Sequence, residues 1–141
     1  MIIFIHGADT YRSRQKLNEL KEKFVREVDP FKQSLSVLAG DNLTADKLNQ
    51  AVGAASLFAR RRMVVVEKLS SNKNKKIFEE LAKSLRGKEA KGKNDDGNII
   101  IIREEALKPE ISRNKLYSYL LSLPKTHLYE YNLLSNTDLA G

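Results

Sequence analysis

Three short runs of purely apolar residues constrain this chain more than any other feature: IIFI at residues 2–5, MVVV at 63–66 and IIII at 99–102. A strand with one wet face alternates apolar and polar residues, whereas an unbroken apolar run suits a strand buried on both faces. Such strands need a layer of helices above and below, and parallel neighbours need helical crossovers to connect them. The intervening segments supply those helices. Gly7-Ala8-Asp9 turns the chain, and Asp9 or Thr10 can cap a helix that carries Leu17, Leu20, Phe24 and Val28 on one face. Asp29-Pro30 stops it. Residues 34–38 alternate towards Gly40, a second strand. Thr44 caps a second helix with Leu48, Ala51, Val52 and Ala55 inward. After the 63–66 run, a lysine-studded helix turns Ile77, Phe78, Leu81 and Leu85 inward. GKEAKGKNDDGN at 87–98 reads as a polar surface loop. A last helix over about 114–121 ends before Pro124, and 126–131 alternate as a fifth strand. This order predicts an α/β fold, a three-layer sandwich around a mostly parallel five-stranded sheet.

At 141 residues the chain is long enough for one domain with a real core. No apolar run approaches the roughly 18 residues of a membrane span. MIIFI is too short for a signal-peptide core and lacks a preceding basic residue. There is no cysteine, hence no disulfide framework and no thiolate chemistry. A cytoplasmic location with no membrane contact is the expectation. The net charge is +7, and its placement matters more than its size. Residues 60–93 hold twelve Lys or Arg against four acidic residues, a balance of +8, while the rest of the chain stands at −1. A local basic field attracts phosphate backbones or an acidic protein surface; it also simply solubilises. The chain ends just after Thr137-Asp138, which looks like a helix N-cap pair with no helix behind it, as in a domain excised from a longer protein.

A strand, a glycine turn and a helix are the setting of a phosphate-binding loop. That loop requires G-x-x-x-x-G-K-[ST], with glycines for close backbone approach, a lysine for charge and a hydroxyl for magnesium. In this register Gly7 is in place, but the second glycine is Arg12 and the lysine position is Ser13. Arg12 is bulky where backbone must come close, and Asp9 adds negative charge. A degenerate, non-binding phosphate loop is expected, with no cofactor. His6 and His127 stand at or beside predicted strands, where a lone histidine is usually packed and hydrogen-bonded. No carboxylate pair with a matching base, no Cys/His metal spacing and no G-x-S-x-G occurs. An enzyme acting alone is not expected, and no metal site.

AASLFARRRMVVVEKL at 54–69 sets Leu57 and Phe58 between small residues and three arginines. Large apolar side chains are usually inside, so the residues alone favour core for both. The alternative is an apolar plug held out for a partner, with Ala55 and Ser56 allowing close approach and Arg60 and Arg61 steering an acidic rim. Lys73, Lys75 and Lys76 are either a solvated face or a DNA contact. A basic nucleic-acid-binding α/β domain is the competing reading.

The opening IIFIHGADTYRSRQKLNELKEKF, the block AVGAASLFARRRMVVVE and the strand NIIIIREE together resemble the delta subunit of bacterial DNA polymerase III, a clamp-loader subunit. The resemblance covers essentially the whole chain. It implies an AAA+-like N-terminal domain over 1–136 that has lost its phosphate loop, with 137–141 beginning a following domain. It implies binding to the ring-shaped sliding clamp, with Leu57 and Phe58 as the apolar plug, and help in opening the ring without ATP hydrolysis. It also implies contacts with other clamp-loader subunits through further domains, and primed DNA nearby. Some family members carry a larger apolar anchor where this chain has Ala55.

Overall fold

The structure, a computed structural model, describes residues 1–28, 34–53, 61–90 and 98–133. Among the described residues there are five strands: β1 (Ile2–His6), β2 (Leu35–Ala39), β3 (Met63–Glu67), β4 (Ile99–Arg103) and β5 (Leu128–Glu130). The helices are α1 (Thr10–Glu27), α2 (Ala45–Gly53), α3 (Lys76–Ala90), α4 (Pro109–Ser112) and α5 (Lys115–Leu121). The sheet runs in the order β2-β3-β4-β1-β5. Every pairing is parallel, so the sheet is wholly rather than mostly parallel.

The all-apolar runs are buried on both faces, as their composition requires. Ile3, Ile5, Met63, Val65 and Ile101 face α1 and pack against Leu17 and Phe24. Ile2, Phe4, Val64, Val66, Ile100 and Ile102 face the other way. There they meet Leu48 of α2, Ile77, Phe78, Leu81 and Leu85 of α3, and Leu116, Tyr117 and Leu120 of α5. These are the three expected layers. The helix starts are as the caps dictate. Asp9 accepts the N–H of Arg12 through Oδ1 at 3.0 Å, Thr44 Oγ1 accepts that of Lys47 at 3.1 Å, and Asn114 Oδ1 that of Tyr117 at 2.8 Å. Among the described residues no helix is long and apolar enough to cross a membrane.

Several elements differ from the sequence expectation in their bounds, and one short helix is new. β2 lies one residue later, at Leu35–Ala39; Ser34, just before it, is buried, and its carbonyl accepts the N–H of Met63 at 2.8 Å. α3 runs on through Gly87 to Ala90, since Lys88, Glu89 and Ala90 are good helix formers that outweigh one glycine. β5 is only Leu128–Glu130, the preceding residues turning tightly with His127 N–H donating to Pro124 O at 2.8 Å. The four-residue α4, opened by Pro109, is too short to show a period. Asp29-Pro30, Ala55 and the 137–141 stretch lie outside the described residues.

Candidate functional site

In a parallel sheet all strands end on one rim, where ligands bind in folds of this class. Period-two geometry sends Arg103 and Glu104, at the end of the four-isoleucine run, to opposite faces of that rim. On the α1 face Arg103 lies in register with Glu67 of β3 and Ile5 of β1. Its Nη1 donates to Glu67 Oε1 at 2.9 Å, its Nε to Ser13 Oγ at 3.2 Å and its Nη2 to Thr10 O at 3.3 Å. It is 6% exposed, so the ion pair satisfies a charge that burial would otherwise make very costly.

The turn that resembles a phosphate loop adjoins this pair. Gly7 has φ 127°, and a Cβ there would meet the Tyr131 carbonyl oxygen at 2.2 Å. The turn's amides are already engaged: Asp9 N–H donates to Tyr131 O at 2.9 Å, Thr10 N–H to Ala8 O at 3.0 Å and Ser13 N–H to Asp9 O at 3.1 Å. Arg12, in the second-glycine position, donates through Nε to Asp9 Oδ2 at 2.7 Å and through Nη2 to Asn132 O at 2.7 Å. Its guanidinium also stands over the Tyr131 ring, 5.3 Å from the centroid. The N–H and guanidinium of Arg12 hold the Asp9 carboxyl below the usual carboxylate range. Arg12 therefore spans the start of α1 and the chain leaving β5.

On the opposite face Glu104 is buried. Its Oε2 accepts from the Ser70 N–H at 2.8 Å and from the Tyr117 hydroxyl, and its Oε1 accepts from Ser70 Oγ at 3.1 Å. Burial pushes the Glu104 carboxyl above its usual range, against the pull of those donors, and pushes the Tyr117 phenol up as well. His6 stacks on Phe4, with centroids 4.8 Å apart and planes 9° from parallel. It is packed, as expected, but its Nε2 makes no hydrogen bond among the described residues, which corrects the hydrogen-bonded expectation. Burial lowers its imidazole pKa. Sequence reasoning missed both rim clusters. The available signal was charge placed directly after an all-apolar strand, with no turn residue between.

The residues that flank the candidate plug are at the opposite, amino-terminal rim of the sheet. Ala55, Ser56, Leu57, Phe58 and Arg60 lie outside the described residues, between the end of α2 at Gly53 and Arg61. Arg61 is exposed. Arg62 is not part of a solvated arginine run: its Nε donates to Ala51 O at 3.0 Å and its backbone N–H to Asn98 Oδ1 at 2.9 Å. The side chain thereby ties the start of β3 to the last turn of α2. The basic quarter of the sequence is also not one patch. Lys73, Lys75 and Lys76 are exposed at the start of α3, on the carboxyl rim. Between them and Arg61 lies β3, about 16 Å at roughly 3.3 Å per residue.

No protein-family model and no curated protein matches the chain. Solved structures do. The DNA clamp loader delta protein (YqeN) of Bacillus subtilis superposes with a TM-score of 0.68 at 17% identity, over 97% of this chain and 40% of that one. The fold is shared with a clamp-loader protein. A DNA polymerase III gamma subunit-related protein of Thermotoga maritima superposes with a TM-score of 0.58 at 14% identity, over 99% of this chain and 43% of that one. The chain thus spans less than half the length of either neighbour. The α/β architecture, a parallel sheet between two helical layers, is the one that the sequence led one to expect.

Proposed function

We propose that this chain is the clamp-binding module of a clamp-loader delta-like subunit of DNA polymerase III, acting in DNA replication in the cytoplasm. The observation that carries the reading is the likeness over 97% of the chain to a clamp loader delta protein. The SLFARRR block at 56–62, whose Arg62 is bonded to Ala51 O, supports it. In this reading Leu57 and Phe58 enter an apolar pocket on the sliding clamp, with Ala55 and Ser56 lying close against its surface. Arg60 and Arg61 face an acidic rim. The module helps to open the ring and hydrolyses no ATP of its own. Contacts with other loader subunits run through further domains.

Two large apolar side chains contribute roughly 1.5–3 kcal/mol each when buried, before ordering costs. The Leu57→Ala, Phe58→Ala double variant should therefore bind the cognate sliding clamp at least about 100-fold more weakly by calorimetric titration. Wild-type affinity in that variant would overturn the plug.

The exposed Lys73, Lys75 and Lys76 support a second reading, contact with the phosphates of primed DNA. It is carried by the position of three cations beside the positive end of the α3 dipole. The same titration separates the two readings. DNA binding would fall steeply with salt, survive loss of Phe58 and fail in a Lys73, Lys75, Lys76 to Ala triple variant.

A further inference from the structure

A P-loop enzyme holds its magnesium ion between a hydroxyl in the first turn of the helix after the loop and a carboxylate at a strand end, beside an anionic phosphate on the helix N-terminus. The corner at the start of α1 contains counterparts of these groups, all drawn from the protein itself. Ser13, at the lysine position of the phosphate-loop register and one residue before the motif's own hydroxyl, supplies a hydroxyl in the first turn of α1, and Glu67 supplies the strand-end carboxylate. Between them lies the guanidinium of Arg103, bonded to both at 3.2 and 2.9 Å and to Thr10 O at 3.3 Å. The anion at the helix N-terminus is the Asp9 carboxylate, which accepts the N–H of Arg12. Magnesium and a nucleotide phosphate do not fit these residues: an incoming metal ion meets a carboxylate already paired with the Arg103 guanidinium, and an incoming phosphate meets a carboxylate, paired with Arg12, standing on the helix N-terminus it would need.

We propose that Arg103 is an internal ligand, a tethered cation that occupies the metal position of this corner and holds α1 to the ends of β3 and β4 without nucleotide. The loss of the phosphate loop is then more than the substitutions at Arg12 and Ser13. A residue ninety positions beyond Ser13 has replaced the ligand itself. In a nucleotide-responsive fold this corner changes with its occupant; here the occupant is covalently attached and the corner has one state. The inference holds whether or not the chain binds a clamp.

The test removes the tethered cation and offers a free one. Wild type, Arg103→Ala and the Arg103→Ala, Glu67→Gln pair are compared by thermal unfolding with and without millimolar Mn²⁺. The expected result is a fall of roughly 10 °C in Tm for Arg103→Ala. Mn²⁺ should restore part of that loss, should leave wild type unmoved, and should have no effect once Glu67 is also neutralised. A merely structural arginine would produce the fall but no Glu67-dependent response to Mn²⁺, and that outcome overturns the proposal. Should Arg103→Ala not fold, Arg103→Met with Glu67→Gln removes both charges at near-constant volume. The proposal then requires amide exchange in residues 10–13 to accelerate at least about tenfold while the central strands stay protected. Wild-type exchange at those residues overturns it.

Discussion

Replacing Gly7 by alanine tests how the corner between β1 and α1 is built. The φ of 127° is a conformation that side chains rarely adopt. The added Cβ would lie 2.2, 2.6 and 2.8 Å from the oxygen, carbon and nitrogen of Tyr131. All three are backbone atoms, so no rotamer change relieves the overlap. Two costs follow. Holding alanine in a region used almost only by glycine costs about 1–3 kcal/mol. Displacing Tyr131 breaks the Asp9 N–H to Tyr131 O and Tyr131 N–H to His6 O bonds, both 2.9 Å, at about 0.5–1.5 kcal/mol each. The sum centres near 4 kcal/mol, a large share of a typical total of about 5–15 kcal/mol. Equilibrium urea unfolding followed by circular dichroism should show a midpoint lower by roughly 2 M at an m-value of about 2 kcal/mol/M. The exposed control Ser118→Ala should stay within about 0.5 kcal/mol of wild type. A loss below about 1 kcal/mol for Gly7→Ala with an unchanged m-value would refute the reasoning, because the turn could then swing away from the exit of β5 at little cost.

Glu104 is held above its ordinary carboxyl range, chiefly by burial, so the folded state binds its proton more readily than the unfolded one. Its stabilising contribution is present below the unfolded value near 4.5 and is lost as pH rises through the raised folded value. Glu104→Gln keeps an acceptor for Ser70 N–H and the Tyr117 hydroxyl. Its Tm relative to wild type should therefore rise between about pH 4 and pH 7, and a difference that does not vary with pH would sink this account. Arg62→Ala removes the bond to Ala51 O and should cost about 1–2 kcal/mol in urea unfolding. Unchanged stability would show that the guanidinium does not hold α2 to β3.

The four-isoleucine run shows how far the sequence carries. Its composition alone demands a strand covered on both faces, because four consecutive large apolar side chains alternate sides and leave neither side polar. The same logic places the runs at 2–5 and 63–66 in the interior and requires helices on both faces, and α1, α2, α3 and α5 provide them. Caps and stripes are local features, so Asp9, Thr44, Leu17 and Phe24 were legible where they stand. The edge strand β5 was legible as a strand but not in its bounds, because a three-residue strand carries too short a pattern to separate from the turn before it.

The sites are harder, and for one reason. Arg103 and Glu104 are visible in the sequence as charges against an apolar strand, but which residues neutralise them depends on strand order. Glu67 meets Arg103 because β3 lies beside β4, and Ser13 joins them because α1 starts from β1 on β4's other side. Tyr117 and Ser70 close on Glu104 because α5 and the turn after β3 share the opposite face. Likewise the sequence placed Leu57 and Phe58 beside a run of arginines, whereas tertiary structure separated Arg62, a brace between α2 and β3, from the lysines of the far rim. What the sequence by itself determined is the set of buried strands, their helical partners and the absence of a complete phosphate-loop motif, since each is written within a few neighbouring residues. What only the tertiary structure decided is that Arg103 meets Glu67, Ser13 and Thr10, since that depends on groups contributed by two strands and a helix meeting at one rim.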